Sequence, residues 1–222
     1  MIYTIHFRLA SDATFGRGDG VAGIVDREVE HDQYGLPYLR GRTLKGLLRE
    51  EADNLLYALS AMEKNVAAWE TVRDNLFGQG GSLAETTAVL RWGHAQLPEG
   101  LRQAVIQSLK GQDNPLGRQE VLHSLTALRR QTAVDPTGLP ADGSLRTMRV
   151  ILRQTPFVSV CTANKKLEHV EEGFLAAAVL GLRRAGTGRN RGRGLLADTD
   201  LCKESQSILQ DAYNHFVQEA GL

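Results

Sequence analysis

Tyr3, Ile5, Phe7 and Leu9 alternate with Thr4, His6 and Arg8, a period of two that predicts a half-buried strand. From Thr43 the pattern changes. Leu44, Leu47, Leu48, Leu55, Leu59 and Met62 recur at helical spacing, predicting a long amphipathic helix with Thr43 as its N-cap and Gly46 weakening its first turn. A second helix is expected over 66–76, ended by "FGQGG", then a short strand in "TAVLRWG". Leu101, Ala104, Val105 and Leu109 mark another helix, and Leu122, Leu125 and Leu128 one more. "TAVDPTGLPADGSLRTMRVILR" reads as two extended arms around a Pro/Gly/Asp tip too long for a tight turn, hence a protruding β-hairpin. "PFVSVCTA" is a further strand. Phe174, Leu175, Ala178, Val179 and Leu182 form a helix stopping at Gly186, "GLLAD" a short strand, and Ile208, Leu209, Phe216 and Val217 a last helix. This order describes an α+β sandwich with helices on one sheet face.

With 222 residues, the expected organisation is one large domain or one domain with a substantial insertion. Hydrophobic residues at 42% and charged residues at 23% are ordinary globular values and support a real core. Lys plus Arg equals Asp plus Glu at 26 each, so the distribution of charge matters more than its sum. Residues 182–196, "LRRAGTGRNRGRGLL", hold five arginines and no acid, whereas 26–32, "DREVEHD", hold four acids. Basic tracks on a neutral chain predict a groove for a polyanion, with acidic surface elsewhere. Cys161 and Cys202 lack metal-ligand spacing, and Cys161 within "FVSVC" reads as a small buried hydrophobe. Nothing indicates a disulfide scaffold. The opening "MIYTIHFRLAS" lacks a signal-peptide core, and no apolar run approaches the ~20 residues of a membrane span. The expectation is a cytoplasmic protein with no membrane partner.

"GLPYLRGRTLKGLLREEADNL" places Arg40, Arg42, Lys45 and Arg49 where an extended stretch becomes a helix. Cations are unfavourable at a positive helix end unless an anion is bound there, so the stretch predicts a phosphate contact. Two Gly-rich stretches exclude the common nucleotide folds. "GRTLKGLLR" departs from the P-loop because its lysine precedes the second glycine, and "GTGRNRGRG" has Arg191 where the dinucleotide fingerprint needs its third glycine. Glycines between Arg189, Arg191 and Arg193 let the backbone come close while arginine grips phosphate bidentately. A solvated basic turn is the alternative.

The segment "GIVDREVEHDQYGLPYLRGRTLKGLLREEA" resembles the N-terminal signature of the repeat-associated mysterious protein (RAMP) superfamily. Members share a Gly-rich loop, an aspartate before "xxVxxD", and G-x-P-[YI]-[IV]-P-G-[ST]-[ST]-L-K-G-x-[LM]-R. Leu36-Pro37-Tyr38 and Thr43-Leu44-Lys45-Gly46 match, while Arg40 and Arg42 replace the usual Pro and Ser. "LFGQGG" at 76–81 is similar to the family's L-F-G, and "GTGRNRGRGLL" to its C-terminal Gly-rich loop. Within the superfamily the likeness is to backbone subunits of type III CRISPR effector complexes, which polymerise along guide RNA.

The resemblance implies a ferredoxin-like, RRM-like core over 1–222 with extra helices and an inserted hairpin thumb at about 130–153. The thumb would distort the guide–target duplex, with Met148, Val150 and Leu152 as an apolar wedge and Arg149 and Arg153 on a cationic face. Asp26 occupies the family's catalytic position. Arg40, Arg42, Thr43, Lys45, Arg49, Arg189, Arg191 and Arg193 would bind RNA. Implied partners are guide RNA, single-stranded target RNA, the large subunit, the small subunit, the guide-5′-end-capping subunit and neighbouring backbone subunits. RNA carries its own nucleophile, the 2′-OH, so a cleaving subunit mainly aligns the strand and stabilises charge at phosphorus. An aspartate at the ordinary pKa of ~3.9 is a poor base at neutral pH, so Asp26 is expected to hold Mg²⁺ or another divalent ion, or a water. Asp12, Asp19, Asp32 and His31 are weaker candidates. Alternatives are a non-catalytic or end-capping subunit with Asp26 as a loop cap, and a guide-processing endoribonuclease.

Overall fold

A computed structural model describes residues 1–79, 88–111, 116–133, 135–139 and 141–222. The chain runs β1 (Ile2–Leu9), α1 (Gly41–Ala61), α2 (Ala67–Phe77), β2 (Leu90–Gln96), α3 (Glu99–Lys110), α4 (Arg118–Leu125), β3 (Thr126–Gln131), β4 (Arg146–Ile151), β5 (Pro156–Ala163), α5 (His169–Gly181), a 3₁₀ turn (Arg189–Arg191), β6 (Leu196–Lys203), β7 (Gln206–Ser207) and α6 (Leu209–Glu219).

The alternation in β1 buries Tyr3, Ile5, Phe7 and Leu9 on one face. That face is central because β1 pairs antiparallel with β5 on one side and β6 on the other. With β2 beyond β5, the sheet order is β2-β5-β1-β6-β7. Without β7 this is the ferredoxin-like order, built from two crossovers, β1–α1–β2 and β5–α5–β6. The α+β expectation holds. In α1, Leu44, Leu47, Leu48, Ala52, Leu56 and Leu59 are buried, one stripe at helical spacing. Across α5, every residue from 171 to 179 is buried, because this helix is packed against the sheet and between α1 and α6. Phe7 stacks on Phe157 at 5.5 Å, and Trp69 contacts both Phe174 and Phe216.

Between β2 and β5 the chain inserts α3, α4 and the β3–β4 hairpin, whose register runs from Thr126↔Ile151 to Gln131↔Arg146. Its first arm thus starts at Thr126 rather than near 130. The helix expected through Leu128 ends at Leu125. Thr126 is extended (φ −136°, ψ 163°), and its hydroxyl donates to Leu122 C=O at 2.6 Å, closing the last turn. The expected cap at Thr43 is also replaced. Helix α1 begins at Gly41 with no side-chain cap from Arg40, and Gly41 N–H donates instead to His94 Nδ1 of β2 at 3.0 Å. Helix α5 ends at Gly181, short of Gly186. Strand β6 outruns "GLLAD" to Lys203, because its polar end forms a ladder with Tyr3 and Thr4. Pairing rather than apolar content sets that length.

Candidate nucleic-acid interface

The four acids of 26–32 separate on the structure. Glu28 is buried against Arg149 (Nε to Oε1 2.8 Å), Glu30 is buried and paired with Arg40, and Asp32 pairs with Arg102 at 2.9 Å. These are internal anchors, not the acidic surface that composition predicted. Asp12 and Asp19 are likewise held, by Arg129 and Arg17. Asp26 differs. It is exposed and forms no ion pair among the described residues. Its N–H donates to Thr147 C=O at 2.8 Å, and its Oδ2 accepts from Thr147 N–H at 2.7 Å. These bonds tie Asp26 to the tip end of the β3–β4 ladder, where Thr147 pairs with Arg130. The loop before it returns tightly enough that a Cβ at Gly20 would lie 2.7 Å from Asp26 C=O, so only glycine fits there.

The arginine loop closes on itself and is pinned to the segment after β1. Ala185 N–H donates to Gly194 C=O, Thr187 N–H to Thr14 C=O, and Gly194 N–H to Asp12 C=O, at 2.9–3.0 Å. Gly194 has φ +68°, and a Cβ there would sit 1.9 Å from Ala185 C=O. This seating opens a groove of about 990 Å³ lined by Arg27, Arg183, Arg184, Arg189, Arg191 and Arg193, with Glu50, Glu51, Gln131 and Met148. A smaller cavity of about 290 Å³ continues from it, lined by Asp26, Arg27, Arg146, Arg191, Gln131, Thr147 and Met148. The structure thus joins Asp26 to the tip end of the hairpin ladder and to the arginine loop, both more than a hundred residues further along the chain.

The arginines are not equivalent. Arg189 pairs with Glu50 at 3.0 Å, and Arg193 donates to Gln131 and Met148 of the hairpin. Arg191 is exposed and has no acidic partner among the described residues. We therefore expect Arg191→Ala to weaken RNA binding at all sequences. The slope of log affinity against log salt should fall by about one, as for loss of a single phosphate contact. Filter binding across a salt series checks this, and an unchanged slope refutes it.

The cations at the start of α1 divide between two faces. Thr43, Leu47, Arg40 and Arg189 line a cavity of about 200 Å³ with Gly186 and Thr187, so that face meets the arginine loop. Lys45 and Arg49 lie about half a turn round the helix. Arg49 donates to Gly78 C=O at 2.6 Å, and Arg42 is exposed. Burial pushes the Lys45 ammonium pKa below its ordinary value, and the Arg49 charge lowers it further. With no acid paired to Lys45 among the described residues, a phosphate there would relieve both effects.

The RAMP superfamily model matches residues 6–197. The chain belongs to the RAMP superfamily. No curated protein matches it. Among solved structures, a chain in the cryo-EM structure of the type III-B Cmr-beta bound to cognate target RNA is similar. It has 12% identity and TM-score 0.63, with 96% of this chain and 98% of that chain covered. A chain of the apo type III-B Cmr-beta has 12% identity and TM-score 0.62 over 92% and 98%. At this identity the likeness is one of fold.

In this RAMP chain the expected wedge does not stand free. Met148 and Val150 are buried, and Leu152 is half-buried. Arg149, expected on a cationic outer face, is also buried. The alternation of apolar and charged residues predicts one apolar and one cationic face, but Met148, Arg149 and Val150 are buried on both. Among the described residues of the hairpin the exposed large apolar side chains are Leu128, Leu139 and Leu145, and in the sequence Leu128 fits a helical pattern. Leu139 and Leu145 lie within the Pro/Gly tip, where no periodicity marks them. No helix of the described residues is long and apolar enough to cross a membrane.

Proposed function

We propose that this chain is an RNA-binding backbone subunit of a type III CRISPR effector complex, holding guide RNA along its arginine groove and cutting target RNA beside Asp26. Membership of the RAMP superfamily and the fold shared with a chain of the type III-B Cmr-beta bound to cognate target RNA support the class. One observation carries the site. Of the four acids in 26–32, only Asp26 is left exposed and without a cation among the described residues, and it stands where the arginine groove reaches the tip end of the β3–β4 ladder. Partners on this reading are guide RNA, target RNA and the other effector subunits, neighbouring backbone copies included.

The chemistry follows from the arrangement. A strand gripped by Arg27, Arg146 and Arg191 brings a phosphodiester beside Asp26, with guanidinium groups to stabilise charge growing at phosphorus. The 2′-OH oxygen attacks phosphorus as its proton passes to water, the bond to the 5′-oxygen breaks with that oxygen taking a proton from water, and the products are a 2′,3′-cyclic phosphate and a 5′-hydroxyl. Asp26 orients the 2′-OH through its unengaged Oδ1. Among the described residues no three His, Cys, Asp or Glu side chains cluster to hold a metal. Asp26 would therefore give Mg²⁺ a single ligand, with water and RNA phosphate completing the shell, an arrangement Mg²⁺ commonly adopts. Such an ion would add to the charge stabilisation already supplied by the arginines.

The test is a guide-loaded complex incubated with complementary RNA, its products resolved on a denaturing gel and treated with a phosphatase that opens cyclic phosphates. Cuts bearing cyclic phosphate are expected; intact target would overturn the cutting role. The two hydrogen bonds between Asp26 and Thr147 favour a second reading, in which Asp26 only fastens the hairpin of a non-cutting structural subunit.

A further inference from the structure

Helix α1 starts without help from its own sequence neighbours. Arg40, at the N-cap, makes no side-chain capping bond, and the first turn holds no acid. The acceptor comes from 53 residues away, where His94 Nδ1 takes the Gly41 N–H at 3.0 Å. Strand β2 is shaped to deliver it. Its register against β5 slips between Trp92 and Ala95, so Gly93 and His94 together face Val160, a bulge of the kind that re-aims a side chain. The Ser159 hydroxyl holds the bulge by donating to Gly93 C=O at 3.0 Å. Helix and strand also meet backbone to backbone. A Cβ at Gly41 would collide with Trp92 C=O, Leu39 and Ala95 exchange two hydrogen bonds at 2.9 Å, and the Tyr38 ring lies 4.9 Å from the imidazole.

This contact sits under the cations of the α1 start. Arg40 and Thr43 line one cavity with Arg189 of the arginine loop, and Arg42 and Lys45 ride on the first residues of the same helix. A carboxylate in place of His94 would also accept from Gly41 N–H, but it would set a negative charge where these cations attract phosphate. A neutral imidazole supplies the acceptor without that charge. It does so in one protonation state only. A proton on Nδ1 turns the acceptor into a donor, frees the Gly41 N–H and adds positive charge at the positive end of a helix.

We infer that His94 is the positioning residue for the RNA-binding cations of α1, that it acts as the neutral imidazole, and that acidification releases the α1 start and weakens RNA binding. The inference rests on the RNA-binding role proposed above and adds a proton linkage to it. Imidazole changes charge between about pH 5 and 8, so the cap is present at the upper end of that window and lost toward the lower. The ionisable groups on the elements that contact the ring are Tyr38, the Glu30–Arg40 pair adjoining it, Arg42 on α1 and Arg91 on β2. Strand β5 sets Ser159 and Val160 opposite, neither of them titratable. Burial, and Glu30 beside it, push the Tyr38 phenol pKa up, so it stays neutral throughout.

The test compares the full wild-type chain with His94→Asn and His94→Ala from about pH 8 down to about pH 5.5. Asn keeps an acceptor near the place of Nδ1 but takes up no proton; Ala keeps neither. His94 is exposed, so both substitutions should leave the fold intact, and every other titrating group is common to the three chains. In the free chain, hydrogen exchange at the Gly41 amide should be slow in wild type and in the Asn variant at the upper pH, and fast in the Ala variant. On acidification the wild-type amide should lose protection relative to Asn. Affinity for a single-stranded RNA, read by filter binding, should follow. The ratio of wild-type to Asn affinity should fall about fivefold across the window, the scale of one lost helix cap, with Ala weak throughout. A ratio that stays constant in both measurements would overturn the inference, as would an Ala variant matching Asn, or protection that responds to pH while RNA stays bound with unchanged affinity. Protection that responds to pH in a chain that binds no RNA at any pH would keep the cap and overturn the RNA-binding role instead.

Discussion

Asp26→Ala should abolish cutting by this subunit, lowering its rate by a factor of about 100 or more, the scale on which removal of a single charge-stabilising or proton-handling group acts. Guide loading and target binding should survive, since the arginine groove is untouched. Folding should change little. Asp26 is exposed, and Thr147 N–H can turn to water, so the lost bond costs at most about 0.5–1.5 kcal/mol. In a cutting subunit, Asp26→Asn separates a role of the charge from one of position. The amide oxygen can still accept from Thr147 N–H and fasten the hairpin, but the negative charge is gone. If Asp26 works through its charge, both variants fail to cut; if it only pins the hairpin, Asn restores cutting and Ala does not. A chelator added to the wild-type complex gives a third comparison. Loss of cutting that Mg²⁺ restores would assign Asp26 to a metal, and chelator-resistant cutting would leave the arginines as the source of positive charge. Undiminished cutting by both variants at every site would make the chain a structural subunit.

The parts legible in the sequence were those whose periodicity reports a single environment. Strand β1 alternates because one face meets helices and the other does not, and α1 carries a single apolar stripe for the same reason. "PFVSVCTA" coincides with β5 end to end. Asp26 is marked in the sequence by resemblance and the arginine loop by its own residues as well; they line adjoining cavities that share Arg27, Gln131, Met148 and Arg191. The rest depended on long-range pairing. Glu28 and Arg149 are 121 residues apart, and nothing local distinguishes them from surface charges. The same holds for Glu30 with Arg40, and for the split of the α1 cations, which needed to be located against Gly78 and the arginine loop. Charge counts along a sequence cannot separate an acid engaged inside from one left free outside. That distinction is what singles out Asp26.

The Glu28–Arg149 pair should be the most costly charge to remove. Both side chains are almost fully buried, at 4% and 8% exposure. Arg149 also donates to Thr126 Oγ1 at 3.2 Å, and its carbonyl accepts from the Thr14 hydroxyl at 3.0 Å. Glu28 Oε1 in turn accepts from Val29 N–H at 2.9 Å. The pair thus locks the hairpin to the segment two residues beyond Asp26. Arg149→Met would leave a carboxylate buried without its partner, a change that typically destabilises by about 3–5 kcal/mol. In a chain of this size that lowers Tm by on the order of 10 °C. Glu28→Gln keeps an acceptor for the guanidinium and for Val29 N–H, but it strands the positive charge and should fall between wild type and Arg149→Met. Replacing both together, Glu28→Leu with Arg149→Met, removes the stranded charge and should recover much of the loss, because a buried ion pair is often no more stable than apolar residues of similar volume. Thermal unfolding of the four chains measures this directly. The recovered double variant should still cut poorly, since its apolar contacts no longer fix the register of Arg27 and Asp26 along β4. Full cutting by a stable double variant would show that the bonds to Thr147 and the backbone bond from residue 149 N–H to Arg27 C=O suffice to hold Asp26 in place.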